Sequence, residues 1–379
     1  MLSKLRVQHY KSLFDTTVDL EPLTVFIGPN GSGKSNICEA LAVLSNFLQR
    51  VLATTSGYSE IIPFFAESLQ AISTNQQNLE SKFWHGKFDH LSFEFSTIPE
   101  VGNQLSRNSD IELHVSLAYP QKTLSLRAGT HNLNFDVRNT NDLRDILVSK
   151  TYPYLDYPIA DDLRKVSVYD FSPTSLSNNF NPSANTMDRT GQGIAYALVD
   201  ILHDNREGFD QLEERFTKLV PNIKRISLPR GINQTFSLEL IDKFSEHHIP
   251  ASDISDGTLR ILAFLTALYQ KDTPSIICFE EIENGVHPWL LHKMMELLKI
   301  VSTEGINGKP VQVLITTHSP VLLNYVEPHQ VRAVELDNEG KTQVHALPTD
   351  SVRFQKALEA YDGSLGELWF TNVFGGNPA

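Results

Sequence analysis

Gly28-Pro-Asn-Gly-Ser-Gly-Lys-Ser35 is a complete G-x-x-x-x-G-K-S phosphate loop. Before it, Leu23-Thr-Val-Phe-Ile27 is short, β-branched and aromatic, and reads as a strand. After it, Asn36-Ile-Cys-Glu-Ala-Leu-Ala-Val-Leu-Ser-Asn-Phe-Leu48 carries apolar residues at helical spacing. The order strand, glycine loop, helix is the context such a loop requires. Glycines let the backbone N–H groups of Asn30, Gly31, Ser32 and Gly33 curl toward phosphate oxygens, and the helix start adds positive potential. Lys34 is placed for the β/γ-phosphates, the Ser35 hydroxyl for Mg²⁺, and Asn36 follows directly. The expected ligands are ATP and Mg²⁺. A glycine turn that merely matches the pattern would not need a strand and a helix in register on either side.

Outward from the loop, the first 30 residues read as β-structure: Leu5–Tyr10 alternates, Lys11–Phe14 turns, and Thr17–Leu20 alternates again. Residues 49–88 are irregular. Leu91–Ser96, Ile111–Ala118, Thr123–Arg127 and Leu133–Val137 then read as an antiparallel meander. From 141 to 222 the character changes. Helical patterns at Asp142–Val148, Ile194–Leu202 and Phe209–Leu219 surround a Ser/Asn/Pro-rich loop, Ser172–Asn185. Strands are expected again at Ile223–Leu228 and Thr235–Ile241, then helix, strand, helix, strand over 255–330, and a hairpin from Val331–Leu336 and Thr342–Leu347. The fold class is α/β. The expected divisions are an N-terminal lobe at 1–140, a helical insertion at 141–222, a C-terminal lobe at 223–349 and a tail at 350–379. No internal repeat and no heptad run occurs, so no long coiled coil is expected.

Composition narrows the function classes. The chain has 379 residues, 41% hydrophobic and 20% charged, as in ordinary globular proteins. No apolar run reaches the roughly 18 residues a membrane span needs, and Met1–Val7 lacks a signal-peptide core. With two cysteines, Cys38 and Cys278, in segments expected to be buried, a reducing cytoplasm is the expected location. The net charge of −13 excludes a uniformly basic surface and leaves a local basic groove, and so a nucleic-acid ligand, open. Arg164-Lys165 and Lys224-Arg225 read as solvated faces.

Three further stretches carry chemistry. Ser275-Ile-Ile-Cys-Phe-Glu-Glu281 is a buried strand that ends in two carboxylates. One suits the metal (Glu280) and the next suits polarising water (Glu281); the alternative is a strand end with two exposed acids. Val313-Leu-Ile-Thr-Thr-His-Ser-Pro320 is another apolar strand, and it delivers His318 to its C-terminal end, where it can meet a γ-phosphate. Ser255-Asp-Gly-Thr-Leu-Arg260 opens an apolar helix, where Ser255 and Gly257 sit among free N–H groups. An ordinary N-cap explains the serine equally well.

The order phosphate loop, Ser-Asp-Gly-Thr, Glu-Glu, His resembles the ATP-binding-cassette ATPases. The likeness is to the branch with RecF, the structural-maintenance-of-chromosomes proteins and the OLD-type ATPases. The wording Gly28–Asn36, the preceding Tyr10-Lys-Ser-Leu13, the loop Glu280-Glu-Ile-Glu-Asn-Gly-Val-His-Pro288 and Thr316-Thr-His-Ser-Pro320 carry the likeness. It implies an ABC-type P-loop ATPase head with a β-meander lobe and a helical insertion. Two such heads sandwich two ATP molecules, so the chain is expected to form a homodimer or higher homo-oligomer. Gly28, Gly31, Gly33, Lys34 and Ser35 would bind in cis, and Ser255 and Gly257 in trans. Glu281 would orient water and His318 would sense the γ-phosphate. The Ser-Asp-Gly-Thr wording and Glu280 in place of an aspartate depart from the family pattern, and its glutamine loop, expected near the strands after residue 90, is not identified.

The resemblance implies a compact, stand-alone ATP-hydrolysing switch, without a long coiled coil or a fused toprim nuclease. It would work with a separate effector such as a nuclease, in DNA repair or antiphage defence. Glu335-x-Asp337 is the nearest approach to a toprim acid pair and reads as a hairpin end. Two alternatives remain: the motor subunit of a membrane transporter, and a scaffold that bound ATP cements.

Overall fold

The computed structural model describes residues 1–53, 91–97, 111–117, 124–128, 131–135, 163, 165–178, 186–231, 235–271, 273–306 and 308–376. The described chain falls into two compact units. The first holds residues 1–167, 274–278 and 312–379, and the second holds 168–273 and 279–311.

The first unit is built on a six-stranded sheet of order β15-β14-β3-β13-β12-β8. Its strands are β3 (Leu23–Ile27), β8 (Val166–Tyr169), β12 (Ile276–Glu280), β13 (Gln312–Thr317), β14 (Val331–Leu336) and β15 (Thr342–Ala346); the last two residues of β8 and of β12 belong to the second unit. β3 pairs in parallel with β13 and with β14, and β14–β15 is the antiparallel hairpin. Every residue of β3, β12 and β13 is buried, as continuous apolar runs in a parallel sheet require. Helix α1 (Lys34–Ala53) starts two residues earlier and ends five later than its apolar spacing indicated.

A second sheet in this unit has the order β2-β1-β4-β5, from β1 (Leu2–Tyr10), β2 (Leu13–Asp19), β4 (Leu91–Thr97) and β5 (Ile111–Leu117). The expected turn Lys11–Phe14 is tighter: β1 and β2 join through Lys11 and Ser12 alone. β4 pairs antiparallel with both β1 and β5, so the meander continues the N-terminal hairpin. β6 (Leu124–Ala128) and β7 (His131–Phe135) form a separate hairpin.

Gln312 links the start of the chain to the central sheet. It is 1% exposed. Its Oε1 accepts from Leu2 N (3.0 Å), and its Nε2 donates to Leu2 O (2.8 Å) and Glu21 O (3.0 Å). Gln312→Leu keeps the volume and orphans these backbone groups. The expected loss of stability is about 1–3 kcal/mol for each group left unpaired. It reads as a lower urea midpoint at unchanged slope; a change under about 0.5 kcal/mol would mean the amide is dispensable.

The second unit contains α2 (Pro173–Ser177), α3 (Ile194–Asp204), α4 (Arg206–Leu219), α5 (Asp256–Tyr269) and α6 (Pro288–Thr303), with β9 (Ile223–Ser227), β10 (Glu239–Asp242) and β11 (His248–Pro250) in a small sheet of order β11-β10-β9. α5 is buried at Leu259 and at every position from Ile261 to Tyr269, so it is a core helix rather than an amphipathic one. Differences from the sequence reading are local. Val166–Tyr169 is a sheet strand within a range read as helical, and Pro173–Ser177 is a helical turn at the start of a stretch read as loop. The strand expected at Thr235–Ile241 is Glu239–Asp242, because Phe236 is spent on an isolated bridge to Arg230. The helix read at Asp142–Val148 lies outside the described residues. The tail at 350–379 carries α8 (Val352–Ala360) and α9 (Leu365–Phe370) in the first unit. α7 (Pro320–Leu323) follows His318.

Candidate functional site

The phosphate loop leaves the C-terminal end of β3 and is braced from behind by residues far away in sequence. Thr342 Oγ1 donates to Ser32 O (2.9 Å) and lies 2.7 Å from Ser12 Oγ, which accepts from Asn36 Nδ2 (2.7 Å). Two glycines are required by space. A Cβ on Gly28 would lie 2.0 Å from Val334 O, and one on Gly33, at φ +102°, would lie 2.0 Å from Thr342 Oγ1. Gly31 is also left-handed (φ +77°) and opens to solvent beside exposed Asn30. The Lys34 ammonium donates to Gly28 O and Pro29 O, both at 2.8 Å, so the loop curls around the cation.

His318 belongs to the same unit. The β3–β13 register pairs Ile27 with Thr317. The next residues, Gly28 and His318, therefore leave the sheet at the same level. Thr317 Oγ1 accepts from Ser319 N (2.9 Å) and fixes the turn after the strand. The backbone register thus sets the C-terminal ends of β3 and β13 side by side.

The two carboxylates lie in the second unit. Phe279, 1% exposed, anchors them in an aromatic cluster, with ring centroids at 5.1 Å from Phe264, 5.9 Å from Tyr169 and 6.1 Å from Phe171. Glu280 ends β12 and is buried. Its Oε1 accepts from Arg189 Nη2 at 2.6 Å, a partner no local sequence pattern announced. Glu281 turns the chain with φ +46°, a left-handed conformation that costs a non-glycine residue about 1–3 kcal/mol. Its Oε2 accepts from Asn284 Nδ2 at 2.6 Å. Consecutive residues thus carry their carboxylates into different surroundings: one buried against a guanidinium, one half-buried at a strained turn.

Ser255 and Gly257 also lie in the second unit, at the start of α5. Ser255 caps the helix: its Oγ accepts from Thr258 N (3.4 Å) and donates to Thr258 Oγ1 (2.9 Å). A Cβ on Gly257 would lie 2.5 Å from Gly285 O, so the loop after Glu281 needs a glycine there within the same chain. These two residues have local explanations.

The first unit fits a nucleotide's phosphates. Ser32 is 1% exposed and its Oγ has no hydrogen-bond partner, in a cradle where Gly28 and Gly33 leave no room for a Cβ. Lys34 and Ser35 at the helix start complete a donor set suited to phosphate oxygens and Mg²⁺. Among the described residues no group of three or more His, Cys, Asp or Glu could hold a metal alone. Mg²⁺ takes one or two protein oxygens together with substrate phosphates. The toprim-like acids have other work. Glu335 Oε2 accepts from Gly376 N (3.2 Å). Asp337 accepts from Glu339 N, Lys341 N and Gln343 Nε2, and the Lys341 backbone bond above all holds its carboxyl below the usual range. No described helix is long and apolar enough to cross a membrane.

Comparison with solved structures agrees with this architecture. An Smc head bound to the C-winged helix domain of ScpA matches with TM-score 0.57 and 15% identity, over 91% of this chain and 98% of that one. The Smc head domain with an extended coiled coil bound to the C-terminal domain of ScpA, from Pyrococcus furiosus, matches with TM-score 0.55 and 13% identity, over 95% and 99%. At such identities the likeness is one of fold: the chain has the ABC-type P-loop ATPase head architecture its motif order implied. The family model described as "AAA domain, putative AbiEii toxin, Type IV TA system" matches residues 23–324. The chain belongs to that family of P-loop ATPases.

Proposed function

We propose that the protein is a Mg²⁺-dependent ATPase in which nucleotide-driven pairing of two heads switches a separate effector, such as a nuclease, in antiphage defence or DNA repair. The observation that carries the reading is the braced phosphate loop, with Lys34 preset by two carbonyls and the Ser32 hydroxyl buried without a partner. Asn30 to Asn36 would hold the phosphates, and Ser35 with Glu280 the metal. Glu281 would orient and deprotonate water, and His318 would read the γ-phosphate from the level of Gly28. Ser255 and Gly257 would meet the nucleotide of a second copy. ATP supplies the phosphoanhydride bond, and Mg²⁺ the charge that draws electrons toward the leaving group.

A homodimer is the expected assembly, because a trans-acting helix start completes nothing in a single head. The effector is proposed as a second protein, because the hairpin acids Glu335 and Asp337 are engaged in structural hydrogen bonds. The toxin–antitoxin wording of the family description favours defence over repair. The Smc heads matched here bind a protein domain, which fits a protein effector.

Steady-state hydrolysis by the purified chain, with and without double-stranded DNA, together with light scattering in ATP, tests the reading. Expected are Mg²⁺-dependent turnover and a mass at least doubled by ATP. Stimulation by DNA identifies nucleic acid as the trigger, and indifference to DNA moves the trigger to a protein. A monomer in ATP without turnover would overturn the proposal.

A further inference from the structure

Arg189 is the least expected residue in the second unit. Its guanidinium lies 2.6 Å from Glu280 Oε1, between side chains 24% and 7% exposed. A buried carboxylate needs a countercharge, and this contact supplies one. The loop that delivers Arg189 is firmly built. Asp188 Oδ1 accepts from Thr190 N (2.8 Å), Thr190 Oγ1 (2.8 Å) and Gln192 N (2.9 Å). The carbonyls of Arg189 and Thr190 accept from Asp170 N (2.8 Å) and Ser172 N (2.9 Å). Gly191, at φ +93°, packs so closely that a Cβ would lie 2.4 Å from Leu176 Cδ2. The Arg189 backbone is therefore held by the loop, and its side chain is 24% exposed.

We propose that Arg189 is a built-in competitor of the metal: it neutralises Glu280 while the site holds no Mg–nucleotide, and its side chain rotates away when Mg²⁺ takes up the carboxylate. The inference rests on the assignment of Glu280 to the metal. The physical reason is charge. A guanidinium at hydrogen-bond distance and a dication served by the same carboxylate would stand within a few ångströms of one another, where their repulsion is large even at an effective dielectric of about 20. The competition needs no loop movement, only a rotamer change. It also explains how an acid this buried stays satisfied without metal. Arg189 acts here through Glu280, as a positioning residue, and its effect appears in metal binding before any chemistry.

The test is a Mg²⁺ titration of nucleotide binding to the full chain, read by the fluorescence of a methylanthraniloyl-ATP, alongside melting curves with Mg²⁺ alone. Arg189→Ala is expected to lower the Mg²⁺ midpoint by about tenfold. Its melting temperature should fall without metal, because the buried Glu280 loses its guanidinium, and should recover at Mg²⁺ concentrations that move wild type less. Arg189→Lys keeps the charge and should titrate like wild type. Arg189→Gln, which retains a donor, guards against a folding failure of the alanine variant and should share its lowered midpoint. Glu280→Gln separates the two readings. If it raises the Mg²⁺ midpoint while Arg189→Ala and Arg189→Gln leave it unchanged or raise it, the metal assignment stands and the competition is overturned. If Glu280→Gln leaves the midpoint unchanged, the metal assignment fails and the competition with it.

Discussion

Lys34→Ala is expected to reduce ATP hydrolysis to the level of a blank, a loss of at least 10²–10³-fold, roughly the cost of one preorganised donor at a reacting phosphate or acyl centre. The reason is preorganisation. The ammonium is already held at 2.8 Å by Gly28 O and Pro29 O and is buried to 5% exposure. The side-chain entropy that a free lysine would lose on meeting phosphates is lost in folding instead. Nucleotide binding should weaken with it, so the rise in melting temperature expected for the wild type with ATP should be absent from the variant. Lys34→Arg is not expected to rescue: a planar fork does not replace a point charge seated between two carbonyls. Retention of the ATP-induced thermal shift by Lys34→Ala would remove the loop from the nucleotide site.

What could be read from the sequence was chemistry carried by neighbours. Gly28–Ser35, the strand before it and the helix after it are specified within a few dozen residues. So is the hairpin Val331–Ala346, whose turn is tied by Asp337. His318 was legible because an apolar strand must end somewhere, and parallel pairing with β3 puts that end beside the loop. The supports of the site were not legible. Thr342 reaches Ser32 across 310 positions and Arg189 reaches Glu280 across 91, and nothing in either local sequence requires its partner. β8 is only four residues long, too short for a period to declare itself against its surroundings. Gly257 was legible as a glycine at a helix start, but its proximity to Gly285 O arises only in the folded loop. Ser255 fits both an N-cap and a trans contact, because both depend on the same free N–H groups of α5.

Glu281→Gln decides whether this head is a switch or a cemented scaffold. The substitution preserves shape. The amide oxygen can still accept from Asn284 Nδ2, which now holds the carboxylate at 2.6 Å, and the left-handed backbone at φ +46° is imposed by the chain around it rather than by the charge. Melting temperature should therefore move little. Hydrolysis should fall by about 10²–10⁴-fold, the usual contribution of a positioned general base. Nucleotide binding, which depends on the phosphate loop in the other unit, should persist. With binding intact and turnover blocked, the ATP-bound dimer should accumulate and appear by light scattering as a species stable for the length of the run, where the wild type shows exchange. A scaffold makes the opposite prediction: a protein that only needs ATP in place has no use for a base, so wild type and Glu281→Gln would turn over equally slowly and dimerise equally well. The strain stored at Glu281 speaks for the switch. A left-handed glutamate costs about 1–3 kcal/mol that an asparagine or glycine at the same turn would largely avoid, and the proposed role of its carboxylate would account for a glutamate at that turn.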